Sequence, residues 1–341
     1  VTQLLIIGEA WGREEEAARA PFVGASGKLL RGNLARVGID PAETAFTNVF
    51  NLRPQPSNDV LNLCGPRAEG IPEYPALGPA KYIRAEYAPE LARLETEVAA
   101  CDPNLILCLG NTAIIAATKQ KYPVGTHRGT LFQTRFLHPD GEPIKAIATY
   151  HPAAVLRDWS QNMIVVADLQ KVKRQMGHRE FTRPRRELWI EPDLGDLTRF
   201  ANLRMTDLDE PCGVDIETQA GTITEIGFGY PDMGIVVPFY SRARAGGNYW
   251  PSHGAERVAW DWVIKRLAHL RRPVFQNGLY DINYLMTAMG ITVPGAGEDT
   301  MLLHHSLQPE LRKSLGFLGS MHTDEPSWKL MRKNATLKKE D

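Results

Sequence analysis

Residues 4–12 read LLIIGEAWG, four apolar residues followed by Gly8, Glu9, Ala10, Trp11 and Gly12. A short unbroken apolar run that stops at glycine is the pattern of a strand buried on both faces, so Leu4–Ile7 is the expected strand and Gly8 its exit. The pattern returns twice further along. Leu105–Leu109 runs into Gly110 and an alanine-rich helix over 111–118, and Lys145–Tyr150 runs into His151 and Pro152. Helical periods lie between these runs. One spans 26–37, with Ser26 as N-cap, Leu30, Leu34 and Val37 on one side and Gly38 as the stop; another spans 82–99, with Leu91, Leu94 and Val98 on one side. Strand alternating with helix predicts a largely parallel sheet covered on both faces. Ligands of such sheets bind at the carboxyl ends of the strands, where this sequence places Glu9, Asn48 and His151.

The whole chain has 341 residues, 43% hydrophobic and 23% charged, with a formal charge of -1. That length predicts two compact domains, and the composition excludes a wholly disordered or collagenous chain. No apolar stretch approaches a membrane span, and the opening VTQLLIIGEA lacks the features of an export signal. Cys64, Cys101, Cys108 and Cys212 form no paired ladder. Reduced thiols and a cytoplasmic location, the host's if phage-encoded, are therefore expected. The near-neutral total conceals a division. Residues 1–186 hold 23 Lys/Arg against 19 Asp/Glu, and 187–341 hold 16 against 21. A basic cluster of Lys171, Lys173, Arg174, Arg179, Arg183, Arg185 and Arg186 closes the first part. It reads either as a solvated helix end with a linker or as a contact to a phosphate backbone. Residues 51–80 lack a period and read as a long irregular insertion. Beyond the cluster, Gly213–Glu217, Thr222–Tyr230 and Gly234–Phe239 predict a meander, with helices at 254–269 and 279–289 and a strand at 274–276. The expected organisation is a domain over 1–178, a basic linker and lead-in over 179–199, and a second α/β domain over 200–341, without internal repeats.

Gly8 and Gly12 permit a tight strand exit and close approach of a ligand, but the motif is neither a phosphate loop nor a dinucleotide fingerprint. Six segments taken in order are more specific: GEAWG, PFVG, TNVFNLRP, LILCLGNTA, HRGT and TYHPAAVLR. Together they resemble the uracil-DNA glycosylase superfamily, especially its iron–sulfur thermostable branch, over about 3–176. The resemblance implies a three-layer α/β domain that hydrolyses the N-glycosidic bond of uracil in DNA, single strands included, and leaves an abasic sugar. It implies that Phe22 stacks on the extruded base and that the Asn48 amide reads the uracil edge. His151, as a neutral donor, would stabilise negative charge on the departing uracil. Glu9, or else Glu15, would position water or stabilise a positive sugar, although the run Glu14–Glu16 also fits a solvated helix face. Gly8 and Ala10 would line the pocket, Arg157 would meet the phosphate backbone, and a Pro152–Leu156 loop would fill the gap left by base flipping. The plainer readings are Asn48 as a turn residue, His151 as a strand-end histidine and Phe22 as core.

Two departures from the family pattern bear on these expectations. The clustered relatives use four cysteines, whereas Asn51 stands here at one cysteine position and Cys108 lies in a strand-like run. Cys64 and Cys101 alone cannot complete a four-thiolate site, so no iron–sulfur cluster is expected. Trp11 stands where the family commonly has proline, which leaves hypoxanthine or mismatched uracil as alternative substrates.

In the second part, Asp215-Ile216-Glu217 alternates so that both carboxylates share one strand face. Like charges so placed need cations, shared protons or open water, and oxygen ligands suit Mg²⁺ or Mn²⁺. Asp281 follows in QNGLYD. With EDTMLLHHSLQPEL and KSLGFLGS, these segments resemble the DEDD 3′–5′ exonuclease superfamily over about 212–332, most closely the proofreading domain of family A DNA polymerases, phage enzymes included. The resemblance implies a ribonuclease H-like fold with a mixed sheet, acting on DNA 3′ ends, and association with or origin in a DNA polymerase. It implies two divalent ions on Asp215, Glu217 and Asp281, with Asn277 and Tyr280 at the terminal nucleotide. Asp299 reads as structural, and His304 and His305 as packing residues rather than zinc ligands. The family also uses one more carboxylate beside a Tyr or His on a late helix. RKNATLKKED offers no such arrangement, and Asp324, Glu325 and Asp341 match poorly. The expectation is thus a truncated or impaired nuclease half, with a DNA-holding module as the competing reading.

Overall fold

The computed structural model describes residues 2–182, 185–244, 246–293 and 297–325. It divides into two compact units, one drawn from Val1–Arg183 and Gly316–Asp341, the other from Pro184–Leu315. The second unit is an insertion between two stretches of the first. KSLGFLGS, which the sequence reading assigned wholly to the second part, is therefore split. Its Phe317 and Leu318 are buried, and the Phe317 ring lies 5.1 Å beneath the guanidinium of Arg128 in the first unit.

The opening strand is central to the first unit. Its sheet runs Ala45–Phe50, Leu4–Ala10, Leu105–Leu109, Pro143–Thr149, Leu131–Leu137. All neighbours are parallel except Leu131–Leu137, which pairs antiparallel with Pro143–Thr149. Successive strand residues face opposite sides. Leu5 and Ile7 accordingly join one core with Leu91, Leu94 and Ile106, while Leu4 and Ile6 join another with Leu30, Leu34 and Leu169. Two cores flanking one sheet make the three-layer domain. The helix expected at 26–37 is Ala25–Arg36, capped at Gly24 rather than Ser26. The helix expected from 82 begins at Ala88, because Tyr82–Ile83 pairs with Cys64–Gly65 in a small antiparallel sheet that orders part of the irregular insertion.

The second unit holds a mixed sheet in the order Glu298–Asp299, Pro273–Phe275, Cys212–Gln219, Thr222–Gly229, Met233–Pro238, Glu187–Trp189. Its central three strands form the antiparallel meander, and both flanks are parallel. Val214, Ile216, Ile226 and Phe228 pack with Phe200 and Val263. The lead-in expected as linker is folded. Glu187–Trp189 is an edge strand, and Leu194–Arg204 is a helix with a capping box between Asp193 and Asp196. Parts of the basic cluster are likewise built in. Lys171 is 1% exposed, and Arg179 pairs with Asp102 at 2.5 Å. Arg183 lies outside the described residues. Among the described residues no helix is long and apolar enough to cross a membrane.

Candidate active site

Parallel register sets Gly8 beside Asn48 at adjoining strand exits. A Cβ on Gly8 would stand 2.2 Å from the Asn48 Oδ1 and 2.4 Å from the Phe22 Cζ, so only glycine lets amide and ring approach. Phe22 itself adopts a left-handed backbone, φ 56°, with its carbonyl packed where any Cβ on Gly27 would be. Its ring centroid lies 5.8 Å from that of Phe46 and 6.3 Å from the His151 ring. Phe22 is thus both core and cavity wall.

The Ala45–Phe50 strand end is fixed through its main chain. Arg93 donates to the carbonyls of Asn48 and Val49 at 2.8 and 3.0 Å. This leaves the Asn48 side chain uncommitted. It is 2% exposed, yet its amide makes no hydrogen bond among the described residues. The amide lines the cavity with its donor and acceptor available to a ligand.

His151 caps the helix Pro152–Arg157, and its Nδ1 accepts the Ala153 N–H at 3.2 Å. That bond places the imidazole proton on Nε2. Burial pushes the His151 pKa down to about 4, with Arg157 adding to the effect and Glu15 opposing it. Histidine here is a neutral donor at ordinary pH. The carboxylate of Glu9 accepts the hydroxyl of Thr112, the buried third residue of the helix Gly110–Thr118. Burial raises the Glu9 pKa, reinforced by Asp59 and opposed by Thr112 and Arg157. Glu15 is a clamp rather than a solvated face: its two carboxylate oxygens accept the N–H groups of Gly12 and Gly24 at 3.1 and 2.9 Å. It ties GEAWG to PFVG. Glu9, Ala10, Trp11, Glu15, Phe22, Asn48, His151 and Arg157 line one cavity of about 590 Å³. The 152–156 segment is helical, not a loop, because a histidine N-cap and proline at the first turn start a helix. Leu156 remains half exposed on it.

In the second unit, Asp215 and Glu217 project from the open face of Cys212–Gln219 while Val214 and Ile216 are buried. Asp281 is buried in the first turn of Gly278–Met289, and its Oδ1 accepts the Ile216 N–H at 3.2 Å. Burial, then Asp281 and Glu217, push the Asp215 pKa up to about 6. Asn277 is left-handed at φ 64°, and the Tyr280 hydroxyl bonds the Thr218 hydroxyl at 2.8 Å. Asp299 accepts four backbone N–H groups, from Asn277, Gly278, Met301 and Leu302, consistent with a structural acid. His304 is buried and His305 exposed on the helix Thr300–Leu307. Two of the substitute carboxylates fall elsewhere: Asp324 accepts Gln175 of the first unit, where Glu325 also belongs, and Asp341 lies outside the described residues.

Neither inorganic group fits a ready site. The donor chemistry of Asp215, Glu217 and Asp281 suits a hard divalent ion. Among the described residues, however, no three His, Cys, Asp or Glu side chains converge as a metal-holding group, and Asp281 is turned to the strand backbone. A four-thiolate cluster fits still less well. Cys108 is sealed within Leu105–Leu109, Cys212 belongs to the second unit, and burial raises the pKa of every thiol.

A cavity at parallel strand exits, holding a carboxylate, an idle amide and an uncharged imidazole donor around an aromatic wall, is the chemistry of a hydrolase for a planar polar group. Residues 2–174 match the model of the Uracil DNA glycosylase superfamily. The Type-4 uracil-DNA glycosylase of Archaeoglobus fulgidus is 29% identical over 188 residues, spanning 53% of this chain and 80% of that protein. Its counterpart from Pyrobaculum aerophilum is 31% identical over 158 residues, spanning 45% and 68%. The chain belongs to the uracil DNA glycosylase superfamily, and it is a glycosylase of the hydrolase class. Among solved structures, the EXD2 exonuclease domain soaked in Mn and GMP aligns with TM-score 0.27 and 14% identity, covering 39% of this chain and 68% of that one. The same domain soaked in Mg aligns with TM-score 0.27 and 15% identity, covering 40% and 69%.

Sequence reasoning missed Thr112 and the clamp role of Glu15. Thr112 sits inside the quoted LILCLGNTA, one turn past a strand exit, and that position was the available signal. The Glu15 clamp had none, because its partners are backbone N–H groups.

Proposed function

We propose that the first unit excises uracil from DNA by hydrolysing the bond between the base nitrogen and C1′ of deoxyribose. The observation carrying this reading is one cavity lined by the Asn48 amide, the Phe22 ring and His151, with Gly8 letting amide and ring approach. An amide offers one donor and one acceptor, matching the carbonyl and ring N–H of uracil and mismatching cytosine. As the bond breaks, its electron pair passes to the base, and charge gathers on the uracil carbonyl oxygens. The Nε2–H of His151 stabilises that charge without transferring its proton. Glu9, ionised, holds the water that adds to C1′ and opposes the positive charge on the sugar. The added water gives up a proton through Glu9 to solvent and the uracil anion takes one up, so the products are free uracil and an abasic site. Arg157 meets a backbone phosphate at the cavity mouth, and Trp11 bounds the base and sets how large a base is accepted.

The test is a uracil-containing single-stranded oligonucleotide treated with the full chain and then with alkali. Cleavage at the uracil position is expected, and its loss on Asn48→Ala or His151→Ala. A folded chain that produces no abasic site overturns the reading. Hypoxanthine and mismatched uracil in parallel reactions decide base breadth.

For the second unit we propose a 3′–5′ exonuclease-like module that holds DNA ends. The placement of Asp215 and Glu217 on one face of the Cys212–Gln219 strand supports this, since adjacent carboxylates suit a cation-bearing phosphate ligand. End-labelled DNA with Mg²⁺ separates the alternatives: trimming abolished by Asp215→Ala marks a nuclease, and binding without trimming marks a holding module.

A further inference from the structure

The first unit contains a charged interior that the excision chemistry does not use. Arg128, Asp168 and Lys171 are each no more than 2% exposed. Arg128 grips Asp168 with two donors, one through Nε at 2.9 Å and one through a terminal nitrogen. Asp168 also accepts the hydroxyl of Thr149 at 2.6 Å. Thr149 ends the Pro143–Thr149 strand two residues before His151. The turn after Arg128 is bonded to the same strand, with Gly129 donating to the Ala148 carbonyl at 2.8 Å.

What closes this interior comes from the far side of the second unit. The Lys171 ammonium donates to the carbonyls of Gly129, Ser320 and Thr323 at 2.6, 2.5 and 2.5 Å. Two of its three acceptors thus belong to the end of the helix Leu315–His322, where carbonyls lack helical partners and favour a cation. Arg128 donates to the Ser320 hydroxyl at 2.9 Å and stacks on Phe317. Gly129 has φ 68°, and a Cβ there would lie 2.7 Å from the Ser320 carbonyl oxygen, so turn and helix meet backbone to backbone.

We propose that residues 316–323 are a positioning element of the glycosylase, holding the strand end that carries His151 through Arg128 and Asp168. The matched family region ends at 174 and does not contain them. A segment that only shielded apolar surface would need no buried ammonium. Removing this one leaves Lys171 with only the Gly129 carbonyl and takes the Ser320 hydroxyl and Phe317 ring from Arg128, which loosens the Arg128–Asp168 pair. Displacing that pair frees Thr149 and, with it, the approach to His151.

The inference rests on the uracil-excision reading, so its test carries a second measurement independent of activity. Full-chain Lys171→Met, Phe317→Ala and Ser320→Ala would be compared by hydrogen exchange over 143–151 and by kinetics on the uracil oligonucleotide. Expected are faster exchange at 146–150 with the Leu4–Ala10 strand still protected, and a kcat lowered about tenfold to a hundredfold at nearly constant KM. Lys171→Arg, which keeps the donors, should recover most of kcat. Ser320→Ala leaves the backbone acceptors intact and serves if Lys171→Met does not fold. Folded variants with wild-type exchange and wild-type kcat overturn the proposal. If the wild-type chain itself excises no uracil, the function has failed, and unchanged exchange would still overturn the positioning role by itself.

Discussion

Both units place carboxylates on strands, and they treat them differently. Glu9 has a hydroxyl donor in Thr112, with Arg157 among its favourable neighbours. Asp215 has Asp281 and Glu217 among the neighbours that raise its pKa, and no cation among the described residues is a cause that offsets them. The first arrangement gives its carboxylate a hydroxyl donor and sets an uncharged imidazole and an amide around the cavity for a neutral planar base. The second is incomplete without positive charge from elsewhere. A pocket that receives a neutral base can be finished by the protein alone, whereas one that faces phosphate is finished with its ligand.

The strongest way to break this contrast is His151→Ala. If the neutral donor stabilises the departing base, excision falls by about 10²–10³-fold with the chain still folded, as single-turnover kinetics would reveal. A smaller loss is expected from Glu9→Gln, about 10²-fold, together with disappearance of the acid limb of the pH–rate profile. The sign follows from the ionised carboxylate being the active form. Wild-type activity should rise with pH through the elevated Glu9 pKa, while His151 stays neutral down to about pH 4. An acid limb that survives in Glu9→Gln would place it on another group. Gly8→Ala drives a methyl into the Asn48 amide and the Phe22 ring. A stability loss of about 1–3 kcal/mol by chemical denaturation is expected, with substrate binding weakened in proportion. The smallest effect concerns the second unit. The folded pKa of Asp215 lies above its unfolded value, so the folded state binds more protons. Stability therefore declines as pH rises from about 4 to about 6. Asp215→Asn should stabilise the unit at neutral pH by about 1 kcal/mol or less after solvent screening. A lowered melting temperature would remove like-charge repulsion from the comparison.

Much of this was legible before any coordinates. Apolar runs ending in Gly8 and Gly110, and a mostly apolar one ending in His151, located three of the parallel strands, because a strand buried on both faces has few polar positions to confuse its reading. Asn48 and His151 stood out as polar residues at strand exits, and the structure gathers both into one cavity. What escaped has physical reasons. Glu15 bonds only backbone N–H groups, which leave no mark on residue choice at Gly12 and Gly24 beyond the glycines themselves. The strand Glu187–Trp189 is three residues long on an edge, too short to carry a period. Lys171 sits in a basic run, and sequence cannot distinguish a solvated lysine from one whose three donors are all used inside. The placement of 316–323 depends on partners 149 residues away in the chain, beyond the reach of local pattern.

That separation has a consequence for how the chain is made. Synthesis delivers the strands of the first unit early, but two of the three acceptors for Lys171 only after the whole second unit has emerged. Until then the lysine has the Gly129 carbonyl alone. Closing a loop of that length costs only a few kcal/mol more than closing a short one, since the penalty grows with the logarithm of length. The interior around Lys171 can therefore be completed only after residues 316–323 have been made, later than every strand of the sheet it supports.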